Sequence, residues 1–253
     1  MEDFVIVNGK KIKTSNNKKK LEITNSKVEN LIKITDIEGL SKLKNLIELN
    51  LFLNSINTLE GLESLVNLQV LNLSSNCIKK ISGLELLLDL KRLRFNHNQI
   101  EKIKGLNNLR NLEDLRINWN NIKLIKGLDN LKKLKVLFLQ NNQIDEISGL
   151  ENLSNLISLN IENNSITEIN GLDSLQKLKR LNLSGNRITE IKNLDKLISL
   201  EELYLDNNQI PVIKGLGHLK KLSVITLEKK PLHQQYVNSV YTSENYPFYL
   251  KFP

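Results

Sequence analysis

Alanine is absent from the 253 residues, and cysteine (one, Cys77), histidine (three), proline (four) and aromatic residues (5%) are scarce. Each scarcity closes a possibility. A lone cysteine rules out a disulfide framework and any cysteine-based zinc site, and it fits a reducing compartment. His97, His218 and His233 are scattered, with no HxxxH pattern and no paired carboxylates at ligand spacing. No run of about 18 apolar residues is present, so no transmembrane helix is expected. The opening MEDFVIVNGKKIK starts acidic and lacks the apolar stretch of a secretory signal. The closing YLKFP carries no prenylation or retention signal. The expectation is an intracellular protein, cytoplasmic and/or nuclear, that does not touch membranes.

Catalysis finds no foothold. No histidine stands at the column of Cys77 in its own or an adjacent repeat, and no glycine-rich phosphate loop is present. The expectation is no enzyme, no cofactor and no metal. The net charge of +8 is diffuse: residues 1–30 hold seven Lys against four acids, and the other +5 is spread over the rest of the chain. Such charge keeps a surface solvated and is a poor nucleic-acid signal.

What the chain has in excess is 50 Leu and 36 Asn, and they recur. Asn54, Asn76, Asn98, Asn120, Asn142, Asn164, Asn186 and Asn208 fall at intervals of 22 without a slip. Relative to each Asn, Leu stands eight residues earlier, an apolar pair five and three earlier (Leu49/Leu51, Leu71/Leu73, Leu93/Phe95), and Ile two later. Gly follows seven later, replaced once by Asn193. The Leu-x-Leu stretch has period 2, so it predicts a short strand with one face inward. The GLxxLxxL stretch has apolar residues three apart, which suits 3₁₀ or short helical turns on the opposite side. One such coil cannot bury its own Leu face, whereas stacked coils bury a continuous core. The Asn amide both donates and accepts, so the stacked column can satisfy backbone groups at the turn in every coil.

The pattern LxxLxLxxNxIxxIxGLxxLxx resembles the leucine-rich repeat in its 22-residue form. Similar short repeats characterise the leucine-rich-repeat regulatory subunit of protein phosphatase 1, a spliceosomal A-prime protein, an axonemal dynein light chain and bacterial internalins. The resemblance implies an α/β fold: a right-handed horseshoe solenoid with a parallel sheet on the concave side and short 3₁₀ or helical segments on the convex side. Nine strands are expected, 49–51 through 225–227. Residues 1–20 read as a flexible basic tail, 21–40 as an N-terminal cap made of a degenerate repeat, 41–230 as repeats and 231–253 as a C-terminal aromatic cap. Six of the 12 aromatics lie in the last 18 residues. The stretch LEKKPL before them resembles the start of the phosphatase regulators' cap motif, LExNPL, without its Asn.

Function is then expected on the strand residues between the inward Leu positions. The column six before the Asn includes Arg92, Asp114, Arg180 and Glu202. The column four before includes Arg94, Arg116, Phe138 and Tyr204, and two before are Glu162 and Asp206. Trp119, the sole Trp, lies at the edge beside them. Arg and aromatic side chains dominate binding hot spots, so the middle of the concave face is expected to be basic and aromatic and its C-terminal end acidic. Resemblance to the phosphatase regulators implies the catalytic subunit of protein phosphatase 1 as the protein partner, gripped through the four-before column. There Phe138 and Tyr204 match aromatic places, and Arg94 and Arg116 stand where an aromatic or acid would be. The alternatives are a scaffold in an axonemal or spliceosomal assembly and, remotely, an RNA-binding module.

Overall fold

The structure is a computed structural model that describes residues 4–15, 17, 19–25, 28, 30–227 and 249–250. Strands β1 (Phe4–Val7) and β2 (Lys10–Lys13) pair antiparallel. All other strands form one parallel sheet of 11 in sequence order: β3 (Lys20–Glu22), β4 (Glu48–Asn50), β5 (Val70–Asn72), β6 (Arg92–Arg94), β7 (Asp114–Arg116), β8 (Val136–Phe138), β9 (Ser158–Asn160), β10 (Arg180–Asn182), β11 (Glu202–Tyr204), β12 (Val224–Thr226) and β13 (Tyr249–Leu250). The chain is a parallel-sheet solenoid. From β4 to β12 every residue pairs with the one 22 positions on, Leu49 with Leu71 and Leu203 with Ile225. The nine regular strands begin one residue earlier than the Leu pattern alone suggests.

Inside, the Leu and Ile columns merge into one core running from Val5 to Ile225. Each ladder Asn zips its coil to the one before. Asn76 Nδ2 donates to the carbonyls of Leu51 (2.9 Å) and Leu73 (3.0 Å), while Asn76 Oδ1 accepts the Ile56 N–H (2.9 Å). The same three bonds recur at Asn98, Asn120, Asn142, Asn164, Asn186 and Asn208. In a buried turn that neither water nor a strand can satisfy, this side chain supplies both donor and acceptor.

Two features differ from the sequence reading. Residues 1–20 are not simply a loose tail: Asn8 and Gly9, at φ 49° and 72°, turn a hairpin whose Val5, Val7 and Ile12 are buried in the core. Ile6 exchanges backbone bonds with Glu38 (3.0 and 2.9 Å), which fastens the hairpin over the end of the first coil. The degenerate repeat at 21–40 begins on a strand, β3. Leu21 pairs with Leu49, 28 residues on rather than 22, so the first coil is longer and its strand sits outside the 22-residue register. Asn54 therefore donates to Ile23 O (2.8 Å) but its Oδ1 has no partner among the described residues.

The segments that return from the sheet are also plainer than expected. Among the described residues only Ile34–Asp36 and Leu40–Lys42 are 3₁₀ helix. Elsewhere GLxxLxxL closes single turns, as in Leu65 N–H to Leu62 O and Leu68 N–H to Leu65 O, both 3.0 Å. Bonds close at every third residue only, so no continuous helix forms. The aromatics Tyr236, Tyr241, Tyr246, Phe248 and Phe252 of the expected C-terminal cap lie outside the described residues.

Candidate protein-binding face

Each three-residue strand buries its central Leu or Ile and turns its two flanking side chains to the outer face of the sheet. Arg92, Arg94, Asp114, Arg116 and Phe138 are thereby set side by side on β6, β7 and β8. They are not one undivided basic patch. Arg116 Nε and Nη2 donate to the two carboxylate oxygens of Asp114 (2.9 and 3.0 Å), the residue two earlier on the same strand face. The guanidinium so held lies over the Phe138 ring, 4.9 Å from its centroid. Arg92 and Arg94 are left without ion pairs among the described residues, and they carry the free positive charge of this region.

Trp119 belongs to a second group at the rim. The residue just before each ladder Asn must turn the chain out of the strand, and it does so in left-handed backbone. All eight, from Leu53 to Asn207, have φ between 51° and 66°. Asn141, Asn163, Gly185 and Asn207 suit that conformation; Leu53 and Trp119 do not, and a bulky residue there carries about 1–2 kcal/mol of strain. Trp119 is nevertheless 51% exposed, so burial does not repay that strain. Its ring stacks on His97 in the adjacent coil, with centroids 5.3 Å apart and planes 11° from parallel. Three residues of chain separate Trp119 from Arg116, roughly 10 Å at strand rise. Between the two groups, Arg94 Nε, Asn118 Oδ1 and Gln140 Oε1 are shielded from water and have no partner among the described residues.

The C-terminal end of the face is acidic in composition but largely neutralised. Arg180 Nε donates to Glu202 Oε1 (2.8 Å), and the Tyr204 hydroxyl donates to Glu202 Oε2 (2.8 Å). Burial pushes the Glu202 carboxyl up, but the hydrogen bonds from Arg180 and Tyr204 outweigh it and hold the carboxyl below the usual range. Burial, reinforced by that same bond, pushes the Tyr204 phenol up. Asp206 accepts from Ser184 Oγ (3.3 Å) and from the Thr226 hydroxyl. Glu162 accepts from Asn182 Nδ2 (3.0 Å). Among the described residues no His, Cys, Asp and Glu side chains group into a metal-holding cluster, and no helix is long and apolar enough to cross a membrane.

With this geometry in view, the chain proves similar to known repeat proteins. A family model described as leucine-rich repeats (2 copies) matches residues 44–86, 132–174, 154–196 and 176–221. The chain belongs to the leucine-rich repeat family, whose repeats generally mediate protein–protein interaction. Among solved structures it is similar to an internalin of Listeria monocytogenes, InlF, at 33% identity and TM-score 0.72, over 79% of this chain and 59% of that one. Internalin C2 of the same organism is 31% identical at TM-score 0.61, over 83% and 80% of the two chains. The ectodomain of the plant receptor kinase GASSHO1/SCHENGEN3 from Arabidopsis thaliana, solved in complex with Casparian strip integrity factor 2, is 28% identical at TM-score 0.65, over 75% of this chain and 25% of that one. No curated protein matches the sequence.

Proposed function

We propose that this chain is a non-enzymatic binding module that takes a protein partner on its concave face, anchored at the His97–Trp119 rim. One observation carries the reading: an exposed Trp held in left-handed backbone at a position that Asn or Gly fills without strain. Strain that Asn or Gly would avoid, and that the stack on His97 offsets only in part, is characteristic of a functional position. The shielded, unpartnered polar atoms of Arg94, Asn118 and Gln140 support it, because buried groups of this kind ordinarily have partners. Trp119 anchors the contact, Arg92 and Arg94 attract carboxylates, and the Arg116–Phe138 pair offers a flat, partly apolar floor. The partner surface is then one with an acid beside an apolar side chain.

The specific form of this reading is a regulatory subunit of protein phosphatase 1, supported by the 22-residue repeat and by Phe138 and Tyr204 at the aromatic places of the gripping column. The other form is a scaffold in an axonemal or spliceosomal assembly. The single Cys77 supports a reducing compartment, cytoplasmic or nuclear. Affinity capture with the wild-type chain, repeated with Trp119→Asn, tests the reading. Phosphatase catalytic subunit retained only by the wild type supports the first form; dynein chains or snRNP proteins support the second. Salt-sensitive RNA retention, or protein capture that ignores the substitution, contradicts the concave-face account.

A further inference from the structure

The flank of the solenoid, between each ladder Asn and the following Gly, carries a second pattern. On this flank two Ile per coil point inward and are buried, as at Ile100/Ile103, Ile122/Ile125 and Ile144/Ile147. The residues around it are exposed and form rows. Three successive rows are basic: Lys79 and Lys80, then Lys102 and Lys104, then Lys123 and Lys126. The next two are acidic, Asp145 and Glu146, then Glu168, while the row after them mixes Glu190 with Arg187 and Lys192. The rows are held in register by backbone bonds such as Asn121 N–H to Ile100 O and Gln143 N–H to Ile122 O, both 2.9 Å. A groove of about 950 Å³ runs between the Lys102/Lys104 and Lys123/Lys126 rows, and a smaller one of about 390 Å³ between Asp145/Glu146 and Glu168.

The six lysines and the pair Asp145 and Glu146 make no ion pair among the described residues, whereas Glu168 and Glu190 are held by Lys192 (3.2 Å) and Lys214 (2.9 Å). Unspent charge of both signs therefore meets at the middle of the flank. Leu124, 45% exposed, lines the larger groove there and is the exposed large apolar side chain of these rows.

We propose that this flank is a self-association surface on which a second copy of the chain docks antiparallel. A two-fold axis between the Lys123/Lys126 and Asp145/Glu146 rows brings the two central basic rows against the two acidic rows of the other copy. Lys123 and Lys126 meet Asp145 and Glu146, and Lys102 and Lys104 meet Glu168; the outermost rows, Lys79/Lys80 and the mixed Glu190 row, add no net attraction. Glu101, the acid within the basic block, falls opposite the row that also holds the neutral Thr167 and Asn170. The two Leu124 side chains lie on either side of the axis. Such a contact is isologous and closes at two copies. Six rows at strand spacing span about 24 Å, the width of a standard interface patch. The surface is separate from the concave face, so dimerisation and partner capture succeed or fail independently.

Sedimentation velocity over a range of concentration and salt tests the proposal. The wild type forms a dimer that weakens as salt rises. Lys123→Glu/Lys126→Glu and Asp145→Lys/Glu146→Lys are each monomeric, and an equimolar mixture of the two restores a one-to-one dimer. Carbodiimide treatment of mixed isotope-labelled and unlabelled wild-type chains links Lys123 or Lys126 to Asp145 or Glu146 between copies, a readout that needs no variant. A wild type that stays monomeric overturns the proposal. So does a dimer that survives both reversals, or a pair of variants that do not recombine.

Discussion

The His97 imidazole and the Trp119 indole lie nearly parallel, 5.3 Å between centroids, and both residues sit at positive φ. The stack offsets part of the strain at Trp119, which remains half exposed. Trp119→Asn therefore raises fold stability, by about 1 kcal/mol, because Asn tolerates the conformation. Trp119→Ala leaves the backbone strained and removes the stack, so it lowers stability slightly. Urea unfolding of the two variants checks the opposite signs.

The Asn ladder gives a sharper stability test. Asn142 donates to Ile117 O (3.0 Å) and Leu139 O (2.9 Å) and accepts from the Ile122 N–H (3.0 Å). Asn142→Ala leaves those groups unsatisfied and costs roughly 1–3 kcal/mol. The neighbouring Asn141 has φ 57°, and its side chain accepts only one exposed bond, from Asn163 Nδ2 (3.2 Å). Its control is Asn141→Gly, since Ala there would add strain unrelated to the side chain. Near-equal shifts in unfolding midpoint for Asn142→Ala and Asn141→Gly would contradict the ladder's role.

Gly149 is confined from two directions. Its φ is 68°, and an added Cβ would stand 2.2 Å from Ile125 O in the previous coil. Gly149→Ala is expected to cost at least about 2 kcal/mol, from the left-handed conformation plus separation of two coils. Gly217→Ala, with nothing within 4 Å and no positive φ, is expected to be close to neutral. Thermal melts of the pair decide it.

Acid should loosen the C-terminal end of the sheet. The folded-state pKa of Glu202 is lowered by Arg180 and Tyr204 against the opposing effect of burial, so its contribution is present above the unfolded carboxylate pKa. That contribution is lost as pH falls through the folded value. Glu113 shifts the same way, held by Lys135, and so do Glu168 and Glu190. The melting temperature falls from neutral pH to strong acid, and less steeply in Glu202→Gln. Identical slopes for variant and wild type would show that Glu202 contributes nothing.

Much of this molecule was legible before any coordinates. A 22-residue period leaves no freedom in β4–β12, and it identifies the ladder Asn directly. What escaped did so for identifiable reasons. The β3 strand hid because Leu21 stands 28 residues before its partner, outside the period. The hairpin was signalled by Asn8-Gly9 between Val5, Val7 and Ile12, but the surrounding lysines made it read as a tail. Arg116 and Asp114, two residues apart on a strand, share one face, and Arg180 and Glu202 are one coil apart; both pairings followed from the register. The left-handed column was visible in Asn141, Asn163, Gly185 and Asn207. Only against it do Leu53 and Trp119 stand out, and only coordinates show the Trp119 ring stacked on His97.

The most direct measurement is the affinity of a captured protein partner for the wild type and for Trp119→Asn, by calorimetric titration with unfolding curves taken on the same samples. The concave-face account predicts a loss of at least about 2 kcal/mol in binding, together with a fold no less stable than the wild type. Unchanged affinity in the folded variant would contradict it.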